Sequence, residues 1–197
     1  MKNKLSNLKE WRQKIRNSDL LIFDLDGTLI DTDYANFLSY KAAIKKIIQP
    51  RLSLIFNPRK RLTREIIRTI IPNISEENFN NIIKIKENLY SEYLYETKLK
   101  REIIDILELE ESQGKEFVLV TNSRQERANM LLRYHNIANK FTHTYYRENM
   151  MSTNKFYRVL SDLQISGGSV IVFENNETEI KTAISTGIPP ENIIKVM

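Results

Sequence analysis

Apolar residues fall along this chain in two rhythms. Unbroken runs at residues 20–23, 117–120 and 170–173, the last opened by Ser169, are too short for helices and read as buried strands. Between and after them the spacing turns helical. Leu5, Leu8, Trp11 and Ile15 predict an amphipathic helix over residues 3–17. Ile103 and Leu107 predict a helix that Gly114 ends, and Ala128, Leu131 and Leu132 predict another. Asn154 is placed to cap a helix over 155–163, and Ile180, Ala183 and Ile184 predict one closed by Gly187. A weaker strand is expected over 141–145 and a last one over 193–196. Regular strand–helix alternation predicts an α/β fold: a Rossmann-like parallel sheet flanked by helices.

One long stretch departs from this alternation. From Tyr34 the pattern stays helical, with Phe37, Ala43, Ile44, Ile47 and Ile48 on a helix stopped at Pro50. A second helix is expected over 62–71, ended by Pro72. Ser75, followed by Glu76 and Glu77, reads as the N-cap of a third that runs through Phe79, Ile82, Ile83, Leu89 and Tyr93. No strand is expected there. The predicted division is therefore an α/β core, residues 1–33 and 98–197, with an inserted all-helical cap, residues 34–97.

Composition narrows the chemistry. The chain has 197 residues, 41% of them hydrophobic, enough for one such core with an insertion. It has no cysteine, which excludes disulfides, thiolate zinc sites and thiol catalysis, and its two histidines, His135 and His143, exclude a His-rich metal site. The first residues lack the apolar segment of a signal peptide, and no apolar run nears the ~20 residues of a membrane span. A soluble, cytoplasmic protein without a membrane partner is expected. The net charge is +5, and residues 34–97 alone hold eleven Lys and Arg against six Glu. The sharpest cluster, Arg59, Lys60, Arg61, Arg64 and Arg68, makes an anionic substrate the favoured partner. Nucleic acid is possible but less favoured, because no aromatic platform is interleaved.

The candidate chemistry sits where strands stop. Residues 20–23 run into Asp24-Leu25-Asp26-Gly27-Thr28-Leu29, and Gly27 allows a sharp turn. The other two runs stop at Thr121-Asn122-Ser123 and at Glu174. In a parallel sheet all three ends share one edge, where such folds bind ligands. Paired carboxylates there are costly unless a cation or a phosphoryl group meets them.

The segment from Asp24 to Leu29 resembles the first motif of the haloacid dehalogenase superfamily in its helical-cap phosphatase form, and the resemblance extends over nearly the whole chain from Leu20. It implies Asp24 as nucleophile and Asp26 as general acid/base, and Asp26 favours phosphate esters over carbon–halogen bonds. Thr121 and Asn122 resemble the second motif, whose hydroxyl binds a phosphoryl oxygen. Lys155 takes the part of the third-motif lysine by its role, since Met150 stands nearer the usual place and no proline follows; Arg147 is the reserve. In the fourth motif Glu174 and Glu179 fit flanking acids, and Asn175 replaces a usual aspartate. Carried over, phosphate binding falls to Thr121, Asn122, Lys155 and the amides near Gly27, and Mg²⁺ to Asp24, Asp26, Glu174, Asn175 and Glu179. The implied activity is Mg²⁺-dependent hydrolysis of a small phosphorylated metabolite through an aspartyl-phosphate. A phosphomutase of the same fold, a catalytically weak binding or regulatory module, and a nucleic-acid end phosphatase stay as alternatives.

Overall fold

A computed structural model describes residues 11–12, 14–48, 53–149 and 154–197. The core of the fold is a five-stranded parallel sheet built from β1 (Leu20–Phe23), β4 (Glu116–Val120), β5 (His143–Tyr145), β6 (Val170–Glu174) and β7 (Ile193–Lys195), in the order β5-β4-β1-β6-β7. Parallel neighbours need crossovers, supplied by α4 (Arg101–Glu111), α5 (Gln125–Tyr134), α6 (Lys155–Asp162) and α7 (Glu177–Ser185). The fold class is thus the expected Rossmann-like α/β core.

Strand alternation builds two apolar faces. Leu20, Ile22, Val118, Val120, Val170 and Val172 form one buried cluster with Phe156 and Val159 of α6. On the other face Phe23 stacks on Phe173 at 4.5 Å and meets Phe117 edge-on at 5.9 Å, while Trp11 meets Phe173 at 6.2 Å. Of the helix expected over 3–17, residues 1–10 and 13 lie outside the described residues; residues 11, 12, 14 and 15 are helical and residues 16–17 form a turn. Gly114 and Gly187 have φ of 76° and 91°, the left-handed backbone that ends a helix. Asn154 caps α6, its Oδ1 accepting the Tyr157 amide at 2.8 Å.

Contacts divide the chain into two compact units, residues 1–30 with 99–197, and residues 31–98. The second unit contains α1 (Asp33–Ile47), α2 (Arg64–Ile70) and α3 (Glu76–Leu89), which bury Tyr40, Ala43, Ile44, Ile67, Phe79 and Ile82 together. Ser75 caps α3 by accepting the Asn78 amide at 3.2 Å. Two details differ from the sequence reading. The third helix stops being α-helical at Leu89 and tightens into a 3₁₀ segment over Tyr90–Glu96, where Tyr90 is fully buried and the Lys86 ammonium lies over its ring. Two strands of two residues each, β2 (Ile30–Asp31) and β3 (Lys98–Leu99), also pair with each other. A two-residue strand has no alternation to announce it.

Candidate active site

The sheet register brings the strand ends level. Phe23 lies opposite both Leu119 and Phe173, so Asp24 follows on the edge beside Val120 and Glu174, with Thr121 one step beyond. The Asp24 amide donates to the Phe173 carbonyl at 3.1 Å, which fixes its backbone to β6. Its side chain is buried.

Lys155, at the first turn of α6, is only 2% exposed and reaches this edge. Its Nζ donates to Asp24 Oδ1 at 2.8 Å and Glu174 Oε2 at 2.7 Å, and lies 3.7 Å from Glu179 Oε2. The next residue of α6, Phe156, and Val159 anchor the helix in the apolar cluster, and the Lys155 ammonium meets carboxylates of three residues. Burial would lower the Lys155 pKa, but Asp24, Glu174 and Glu179 outweigh it and raise it, so the lysine stays charged. For Asp24 the balance runs the other way. Burial, with the nearby charges of Glu174 and Asp26, pushes its pKa up to about 7 although Lys155 pulls it down.

Each remaining candidate has a definite place. Glu174, 1% exposed, spends its second oxygen on the amides of Asn175 and Asn176, at 3.0 and 2.9 Å. The carboxamide of Asn175, with its nitrogen turned toward acceptors, donates to Glu174 Oε1 (3.3 Å), Thr28 Oγ1 (3.2 Å) and the Asp26 carbonyl (3.2 Å). Gly27 has φ of 85°, and a Cβ there would lie 2.3 Å from the Asn175 amide, so turn and side chain require glycine together. Thr121 is buried and its Oγ1 accepts the Ser123 amide at 3.1 Å, which leaves its own proton to donate.

The remaining candidates differ in the partners they meet. Among the described residues no group of three or more acidic or histidine side chains converges as a metal site. Glu174 and Glu179 face Lys155, whose buried ammonium needs their charge. The Asp26 carboxylate is taken by Ser123 Oγ, at 2.5 Å, and by Arg127, which leaves its carbonyl as the group able to meet a cation. The oxygens that fit Mg²⁺ therefore reduce to the Asp24 carboxylate, the Asp26 carbonyl and, with its amide reversed, Asn175. This set is hard, oxygen-only and of one formal charge, which magnesium accepts when substrate oxygens and waters complete it. The Gly27 amide is not available to a phosphate, since it donates to the Ile30 carbonyl at 2.7 Å to close the turn. Asn122 is exposed, and among the described residues no contact ties it to the cluster. Arg147, the reserve cation, is exposed, and its backbone amide donates to the Ser123 carbonyl.

Ser123 and Arg127 are the residues that the sequence reading passes over. Ser123 lies two residues before α5 and Arg127 in its first turn, and Arg127 donates to Ser123 Oγ at 3.0 Å. The basic stretch in the helical unit is less open than its count suggests. Arg61 pairs with Asp33 and donates to Thr32 Oγ1 at 3.0 Å. Arg68 holds both oxygens of Glu76, at 2.7 and 2.9 Å, above the Phe79 ring. No described helix is long and apolar enough to cross a membrane.

Comparison with known proteins points one way. The family model described as haloacid dehalogenase-like hydrolase matches residues 21–190. No curated protein matches the chain. Among solved structures, a haloacid dehalogenase-like family hydrolase from Streptococcus pneumoniae is 21% identical, with 88% of this chain and 83% of that one covered, at a TM-score of 0.70. A predicted phosphoglycolate phosphatase from Haemophilus somnus is 21% identical over 87% and 83%, at 0.72. CbbY from Rhodobacter sphaeroides, solved in complex with phosphate, is 14% identical over 87% and 84%, at 0.70. At these identities the likeness is one of fold.

Proposed function

This chain belongs to the haloacid dehalogenase-like hydrolase family, and from that premise we propose that it hydrolyses a small phosphomonoester with Mg²⁺ through an aspartyl-phosphate on Asp24. A phosphatase-type hydrolase is the general activity that the family match supports. The observation that carries the finer reading is the buried Lys155 bridging Asp24 and Glu174 at 2.8 and 2.7 Å. A desolvated ammonium beside a desolvated carboxylate costs stability that an ordinary strand end does not demand. It suits an edge that must also receive a dianionic phosphoryl group.

In the first step an Asp24 carboxylate oxygen attacks phosphorus. The new O–P bond forms as the bond to the leaving oxygen breaks, and Asp26 donates a proton to that oxygen. In the second, Asp26 takes a proton from water, whose oxygen attacks phosphorus and returns Asp24 as a carboxylate with release of inorganic phosphate. Lys155 and the Thr121 hydroxyl hold charge that builds on the phosphoryl oxygens. The family generally uses Mg²⁺; here Asp24, the Asp26 carbonyl and Asn175 would hold it, and it supplies charge neutralisation between nucleophile and phosphate. The helical insertion, residues 34–97, takes the part of the family's helical cap, and the protein acts in the cytoplasm. Turnover of 4-nitrophenyl phosphate by wild type and by Asp24→Asn, with and without Mg²⁺, tests the reading. Loss in the variant and on chelation is expected; equal rates would sink it.

A further inference from the structure

Asp26 is held by both of its carboxylate oxygens. Ser123 Oγ donates to Oδ2 at 2.5 Å, Arg127 pairs with Oδ1, and Arg127 also donates to Ser123 Oγ at 3.0 Å. The Asp26 and Arg127 side chains are only 15% and 12% exposed. The proton transfers assigned to Asp26 require one carboxylate oxygen to face the leaving oxygen. The oxygen that turns to the leaving group loosens its hold on Ser123 or on Arg127, and where it is Oδ1 the ion pair with Arg127 weakens. A guanidinium this little exposed loses much when it gives up a carboxylate. A substrate that offers another anion at the same place restores the loss, and the planar fork of arginine suits a carboxylate or phosphate.

We infer that Arg127 determines substrate specificity by exchanging Asp26 for a second anionic group, a carboxylate or a further phosphoryl group, carried on the leaving group. With Asp26 as a bridge of one hydrogen bond on each side, Arg127 and the leaving oxygen would lie about 6 Å apart, which a two- or three-bond link in the substrate plus its own hydrogen bond to Arg127 would span. Neutral leaving groups of the same size make no such exchange and are disfavoured. The inference rests on the role proposed for Asp26.

The experiment compares esters that differ in one group. 2-Phosphoglycerate and glycerol 2-phosphate exchange a carboxylate for a hydroxymethyl group; ethylene glycol bisphosphate and 2-hydroxyethyl phosphate differ by a second phosphate. Wild type is expected to favour the anionic member of at least one pair by about 10- to 100-fold in kcat/KM, the range of one charge-assisted contact. Which pair responds identifies the anion. Arg127→Met is expected to bring that ratio to about 1 and Arg127→Lys to keep part of it, whereas a purely structural role would slow both members of a pair alike. Wild-type ratios near 1, or a ratio that survives in Arg127→Met, would overturn the inference. The Kd ratio of the same pairs on Asp24→Asn protein reads the preference without turnover, and equal affinities there would also overturn it. No turnover of any ester by wild type, with a preserved Kd ratio, would instead remove the phosphatase reading and leave the anion site standing.

Discussion

The Lys155 ammonium lies 2.8 Å from Asp24 Oδ1 across 131 positions of sequence, and both groups are buried. Two burials that are each unfavourable become tolerable only together. Lys155→Met therefore leaves Asp24 and Glu174 facing one another without a cation. A loss of about 3–5 kcal/mol in unfolding free energy is expected, as for other broken buried pairs. Adding Glu174→Gln should recover part of it. Urea titration of the two variants checks both outcomes, and turnover is expected to be lost in each.

The raised Asp24 pKa, about 7 against an ordinary 3.8, makes this carboxyl a source of pH-dependent instability. Between these two values the folded protein holds a proton that the unfolded chain has released. Asp24 therefore contributes less to stability as pH climbs from about 4 to 7, and its penalty is constant above that. Asp24→Asn removes the titration. Its stability relative to wild type should rise from pH 4 to pH 7 and level off by pH 8, as read from unfolding free energies at each pH without divalent cations. A difference that does not change with pH would contradict the assignment.

The same group links metal to protons. If Mg²⁺ is held beside Asp24, binding at pH 7 displaces the proton that Asp24 partly retains. Titration calorimetry in two buffers of different ionisation enthalpy should show release of a fraction of one proton per Mg²⁺ in wild type and none in Asp24→Asn. Asn175→Asp adds a charged ligand at the same place and should tighten Mg²⁺ by about tenfold or more, because ligand charge sets affinity at such sites.

One stability gain lies away from the site. Gln164 follows α6 with φ of 52°, a left-handed conformation that costs any residue with a Cβ. Gln164→Gly is expected to stabilise the protein by about 0.5–1 kcal/mol with no change in turnover, measured by chemical denaturation.

The sequence reveals the strand ends well, because a buried parallel strand is an unbroken apolar run and its first polar residue marks the edge. Asp24, Thr121 and Glu174 stand out for that reason. Lys155 is legible through Asn154, whose capping signal sets the lysine on the first turn of α6. The partners of each charge are not legible. The family resemblance implies Glu174 and Glu179 as metal ligands, but a sequence does not show that Lys155 meets both of them. Arg127 disappears into the polar face of α5, where only Ala128, Leu131 and Leu132 mark an inward side. Arg61 and Arg68 read as open charge although Asp33 and Glu76 already engage them, one from 28 residues away and one from eight.

β1 occupies the middle of the five-stranded sheet, with β4 on one side and β6 on the other. A central strand has no edge from which to fray, so its amides exchange with solvent only when the whole sheet comes apart. Asp24 begins where that strand ends and is tied to β6 through its own amide. Its alignment with Lys155 and Glu174 is thus underwritten by the most persistent part of the molecule. Heating or denaturant should remove the arrangement in one step, together with the fold, instead of eroding it gradually from a loop.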